Sequence, residues 1–64
     1  MEVLRKKSNS GKVFRIMDDL PNYGHYYVIE YLKDDAWWPA FEPVNHCFKK
    51  QGEAEMILET LLID

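Results

Sequence analysis

Polar and apolar residues alternate through the first part of the chain and then change period. In Lys12 to Met17 a single cation, Arg15, interrupts Val13, Phe14, Ile16 and Met17, and in His25 to Lys33 (HYYVIEYLK) Glu30 does the same within an aromatic, β-branched run. Alternation with a period of two is the mark of half-buried strands. It predicts strands at about 2–7, 12–17, 25–33 and 36–41. The breaks between them carry turn chemistry: Ser8-Asn9-Ser10-Gly11, the stretch Asp18 to Gly24 with Pro21, and Asp34-Asp35. Pro39 inside the fourth segment marks an edge strand or a bulge, since proline donates nothing to a ladder. After Gly52 the period changes: Ala54, Ile57, Leu58 and Leu61 recur at i, i+3, i+4 and i+7, predicting a helix at about 52–63. Glu53 and Glu55 suit its first turn, whereas Lys50 and Gln51 are poor N-caps. Met56 and Ile63 fall opposite its apolar stripe.

These elements define an α+β chain, a three- or four-stranded antiparallel meander with one C-terminal helix packed on one face. One charged residue per strand chooses the buried side. Arg15 turns Phe14 and Ile16 inward, Glu30 turns Tyr27, Ile29 and Tyr31 inward, and Glu42 turns Trp37 and Phe41 inward. The opposite face then carries Arg15, Met17, Tyr26, Val28, Glu30 and Trp38. That face is too apolar for a solvated sheet surface, and a second protomer, another protein or a flat ligand would cover it.

Composition narrows the class. Sixty-four residues allow one small domain, and 47% hydrophobic residues favour folding over disorder. Seven of the nine aromatics lie between Tyr23 and Phe41, which places the core in the middle of the chain. Cys47 is the only cysteine, so no internal disulfide forms and a reducing, cytoplasmic home is expected. No secretion signal or membrane-spanning run is expected either. The net charge of −3 divides unevenly: residues 1–16 hold five cations against Glu2, while residues 17–64 hold three lysines against ten acids. Such a distribution opposes nucleic acid and suits a basic protein partner.

No enzyme signature emerges. His46 and Cys47 are adjacent and would point to opposite faces of a strand, which separates a thiol from its base. His25, His46 and Cys47 lack zinc-ligand spacing, and Gly11 lacks the companions of a phosphate loop. No cofactor is expected. Trp37 and Trp38 cannot both face one core, so one of them is exposed, and exposed Trp and Tyr are common binding anchors.

Asp34-Asp35-Ala36-Trp37-Trp38-Pro39-Ala40 resembles, over seven residues, the acidic turn and Trp-Trp-x-Ala strand of Src-homology-three domains. The resemblance implies a proline-peptide groove lined by Trp37. The order Tyr26 to Glu30, Trp38, Glu42-Pro43 and a C-terminal helix is similar to that of chromodomains, which again implies peptide binding.

The functional expectation is a non-enzymatic, acidic protein-interaction module that occludes a basic surface of a larger protein. Its general character resembles phage or mobile-element accessory and inhibitor proteins. Arg15, Tyr26, Val28, Glu30, Trp38 and Glu42 are its expected contact residues, with Tyr26 and Trp38 as anchors. The alternatives are an aromatic sheet that stacks single-stranded nucleic acid, and a structural homodimer.

Overall fold

A computed structural model describes residues 1–18, 26–41 and 48–63. Among them are four strands and a helix: β1 (Glu2–Lys7), β2 (Val13–Asp18), β3 (Tyr27–Lys33), β4 (Ala36–Pro39) and α1 (Gln51–Leu62). The strands form one open antiparallel sheet in the order β1-β2-β3-β4, with α1 packed on one face. The fold is the expected α+β meander, with all four strands present. The expected loop residues from Asp19 to Gly24, and His25, Glu42, Pro43, His46 and Cys47, lie outside the described residues.

Both hairpin turns follow from local chemistry. Between β1 and β2, Ser8 closes the turn with its backbone amide on the Lys12 carbonyl at 2.7 Å, and its hydroxyl accepts from the Lys12 amide at 3.0 Å. Gly11 takes φ +93° there, a conformation costly for any side chain. Between β3 and β4 only Asp34 and Asp35 intervene, at φ +54° and +63°, the left-handed pair of a two-residue hairpin whose twist matches the strands.

That tight turn fixes the register of β4. Lys33 pairs with Ala36, Leu32 with Trp37 and Tyr31 with Trp38, and paired residues share a face. Because Tyr31 packs toward the core beside its partner Phe14, Trp38 lies on the helix side and Trp37 on the open side. This reverses the expected placement of the two tryptophans. Glu42 was the arbiter of that expectation, but β4 ends at Pro39, so its alternation does not reach Glu42.

The core lies between the sheet and α1. Phe14, Ile16, Ile29, Ala54 and Leu58 are buried, with Val3, Leu4, Tyr27, Tyr31, Phe41, Leu61 and Leu62 packed around them. The helical stripe is turned slightly from its expected line: Leu62 joins Ala54, Leu58 and Leu61, while Ile57 remains partly exposed. The β1–β2 turn meets the end of this helix. The Asn9 amide donates to the Leu62 carbonyl at 3.1 Å and its side chain to the Ile63 carbonyl, occupying helix-end acceptors that have no partner within the helix. Lys6 on β1 adds an ion pair to Glu59 at 2.8 Å.

Features that oppose further pairing stand at both edges of the sheet. The Ala40 amide bonds to the Ile29 carbonyl, which makes Ala36 and Trp38 the inward-bonding residues of β4 and leaves Trp37 and Pro39 pointing outward. Pro39 therefore removes a donor from the free edge without costing the ladder. At the other edge, β1 carries a register shift between Glu2 and Leu4 and three cations, Arg5, Lys6 and Lys7.

Candidate functional site

Among the described residues, the face of the sheet opposite α1 holds an organised group of side chains outside the core. The ladders place Glu2, Arg5 and Lys7 of β1, Val13, Arg15 and Met17 of β2, Val28, Glu30 and Leu32 of β3, and Trp37 and Pro39 of β4 on this side. Arg5 and Arg15 are directly opposed, at a pair where no backbone bonds intervene and side chains approach closely. Two like charges so placed repel, and the surrounding residues answer that repulsion.

Glu30 takes Arg15: its Oε1 accepts from Nε at 2.7 Å and lies 2.7 Å from Nη2 in an ion pair. Glu2 takes Arg5 in a forked pair, with Nη2 at 2.7 Å and Nε at 3.1 Å, and approaches Arg15 at 3.6 Å. The planar two-point pairing of Arg5 with Glu2 fixes the orientation of that guanidinium as well as its charge. The hydrogen bonds from Arg5 hold the Glu2 carboxyl below its ordinary pKa and in turn raise that of Arg5.

Trp37 completes the group. The Arg15 guanidinium lies 4.0 Å from its ring centroid and that of Arg5 5.1 Å away, both within cation–π range. Two strand spacings of about 4.8 Å separate β4 from β2, a gap that a tryptophan and an extended arginine close between them. The open face is therefore partly sheltered by its own side chains. Arg15 retains only 18% side-chain exposure, with the Trp37 ring and Glu30 against its guanidinium. The resulting surface is a fixed platform of Trp37, Arg15 and Glu30 bordered by Met17, Val28 and Leu32, with Asp34 and Asp35 exposed at the adjoining turn.

Of the expected contact residues, the structure brings together Arg15, Val28 and Glu30 on this face. Tyr26 is half-buried just before β3. Trp38 stands on the other side of the sheet, 50% exposed, with its indole nitrogen donating to the Lys33 carbonyl at 3.3 Å. Glu42 lies outside the described residues. Sequence reasoning missed Trp37, Arg5 and Glu2 as members of the cluster. The signal for Trp37 was present: a two-residue turn after an inward Tyr31 places Trp38, not Trp37, on the helix side.

Among the described residues, no group of three or more His, Cys, Asp or Glu side chains could hold a metal ion, and no helix is long and apolar enough to cross a membrane. No protein-family model matches the chain, and no curated protein or solved structure matches it.

Proposed function

We propose that this chain is a non-enzymatic protein-interaction module that acts by occlusion, laying the open face of its sheet over a surface of a larger protein. The observation that supports this reading is the Trp37–Arg15–Glu30 platform, in which an anchor ring and an arginine are held in place before any partner arrives. Trp and Arg are the residues most enriched at binding hot spots, and groups already fixed lose little conformational freedom on binding. Leu32, cross-strand from Trp37, supplies apolar contact beside the ring, and Met17 and Val28 form an apolar pair further along the face. Asp34 and Asp35 form an acidic rim at the Leu32–Trp37 end, which suits a partner with basic residues at that position. Such binding is accessory or inhibitory in kind and needs no cofactor. A reducing, cytoplasmic setting suits the single Cys47.

The same geometry disfavours base stacking. A base reaching the Trp37 ring must displace Arg15 from both the indole and Glu30, and the carboxylates of Glu2 and Glu30 stand where phosphates would pass.

The test is a nuclease-treated pull-down from the source cell, comparing the native chain with Trp37→Ala and Trp38→Ala after circular dichroism has established that both fold. One stoichiometric protein lost with Trp37→Ala, retained with Trp38→Ala and bound more weakly as salt rises is the expected result. Recovery that depends on nucleic acid, or that survives Trp37→Ala, overturns the reading.

A further inference from the structure

The open face of the sheet carries opposite charges at opposite corners. Carrying the ladder registers across the four strands sorts its side chains into rows. In the row nearest the two hairpin turns, β1 and β2 contribute Lys7 and Val13, and β3 and β4 contribute Leu32 and Trp37. In the next row, Arg5 and Arg15 are continued by Glu30 and Pro39, and beyond it Met17 lies beside Val28. Lys7, at the β1 corner, is exposed and has no ion-pair partner among the described residues. Asp34 and Asp35, at the corner where β3 turns into β4, are exposed and unpaired in the same sense.

This pattern discriminates among occupants. A uniformly basic surface suits the Asp34–Asp35 corner and is repelled at the Lys7–Arg5 corner, and a uniformly acidic one does the reverse. A second copy, turned by a two-fold axis that runs parallel to the strands between β2 and β3, suits both. That rotation lays β1 of each copy over β4 of the other, and β2 over β3. Lys7 then arrives over Trp37 of the other copy, two residues or roughly 7 Å along the strands from the Asp34–Asp35 turn and within a lysine's reach. Val13 meets Leu32, Met17 meets Val28, and Arg15 of each copy stands over Glu30 of the other. An axis laid across the strands through the middle row would instead set Arg5 on Arg5 and Arg15 on Arg15. Packed sheets cross at about 30°, so the match is closest near the axis, and at the corners the long Lys7 side chain spans the divergence.

We infer that the free chain forms a two-fold dimer through its open sheet face, with Lys7 of each copy paired to the Asp34–Asp35 turn of the other, and that this dimer masks the platform until a partner displaces it. The masking rests on the platform reading above, whereas the dimer stands on the charge pattern alone. An isologous contact requires this self-complementarity, in which each group and its counterpart lie at equal distances from the dyad. The stacked Arg15–Glu30 pairs set the register more than they add strength, because bringing them together removes water from both. Four strands about 4.8 Å apart and about six residues long give a face roughly 20 Å on a side, so two facing copies hide on the order of 1,000 Å². That is the lower limit for a specific interface, and it makes the dimer weak enough for a better-fitting partner to replace. Partner binding then draws on the monomer, and its apparent strength falls as the concentration of the chain rises.

Sedimentation equilibrium of the full chain from low micromolar to millimolar concentration tests this. The mass is expected to double across that range, and Lys7→Glu is expected to weaken association at least tenfold. Asp34→Asn with Asp35→Asn is expected to weaken it severalfold while keeping the turn, since asparagine accepts the left-handed conformation. A charge exchange is the decisive measurement. The Lys7→Glu chain and an Asp34→Lys/Asp35→Lys chain are each expected to stay monomeric, and their equimolar mixture to dimerise, because both corners become complementary again. If circular dichroism shows that lysine unfolds the turn, the asparagine variant decides the point, and unchanged association in it overturns the inference. So does a parent chain that stays monomeric at millimolar concentration, a folded mixture that stays monomeric, or a dimer that survives Lys7→Glu and is lost with Ile63→Asp, which places the contact on α1. A monomeric chain that still captures a protein through Trp37 leaves the platform reading standing without the dimer. A dimer that captures none removes that reading and overturns the masking with it.

Discussion

The two faces of the sheet solve the same problem by different means. Both are built from alternate strand positions, yet one is apolar and covered by α1, while the other mixes charged and apolar side chains and, among the described residues, has no element packed on it. On the covered side, Phe14, Ile16 and Ile29 interlock with Ala54 and Leu58, and water is excluded by packing. On the open side, Trp37 and the arginines lie flat across the strands, and water is kept from the sheet by a thin lattice of charge and ring. Packing is worth more per residue but leaves nothing to bind with. The lattice contributes less to stability and keeps hot-spot chemistry at the surface.

The largest expected difference lies in the core. Leu58→Ala, which empties a fully buried position, is expected to cost about 2–5 kcal/mol in urea unfolding, a large part of what a domain this small possesses. Trp37→Ala is expected to cost about 2 kcal/mol, combining a half-buried ring with the loss of its cation–π contact. A double-mutant cycle between Trp37→Leu and Arg15→Met sharpens the contrast. A coupling of about 1 kcal/mol is expected, and a value near zero would mean that the ring is held by packing against the strands and not by Arg15. If Trp37→Ala proves as costly as Leu58→Ala, the division into a packed face and a lattice face fails.

The covered face was legible in the sequence because strong, local signals agree there. Arg15 and Glu30 divide their strands without ambiguity, and Ala54, Leu58 and Leu61 repeat with the helical period. The exact line of the helix was not legible. Ile57 and Leu62 are both apolar, and only the packing of α1 on the sheet distinguishes them, with Leu62 against the core and Ile57 partly exposed. On the open face, Arg15, Val28 and Glu30 follow from alternation, but Trp37 depends on the length of the Asp34-Asp35 turn. The two-residue turn is legible, but parity carried back from Glu42 points the other way, and it fails because β4 ends at Pro39. Arg5 and Glu2 join the cluster through β1 pairing and the register shift beside Val3, which no periodicity reveals.

That turn offers a smaller test of the same contrast. Replacing Asp34-Asp35 with Asn-Gly supplies the pair that this hairpin geometry favours, and is expected to stabilise the fold by about 0.5–1 kcal/mol while leaving Trp37 on the open face. The result can be read from indole fluorescence together with thermal melting. A destabilised variant, or one whose Trp37 environment changes, would mean that the aspartate carboxylates, and not the backbone conformation, hold the register.

The smallest expected effect concerns the exposed margin of the lattice. Hydrogen bonding from Arg5 depresses the pKa of Glu2 below 4.5, so the unfolded chain binds that proton more readily than the folded one. The contribution of Glu2 is therefore fully present above pH 4.5 and is lost as pH falls through the lower folded value. Glu2→Gln should lower the urea midpoint slightly at neutral pH and converge with the parent in acid, and because the pair is solvated the gap should narrow with added salt. Parallel pH curves would show that the pair does not contribute to stability. The same measurement in a Trp37→Ala background separates the two anchors of Arg5. If the carboxylate positions this arginine, the Glu2 effect persists without the ring. If it disappears, Trp37 holds Arg5 over the face and the forked pair follows from that placement.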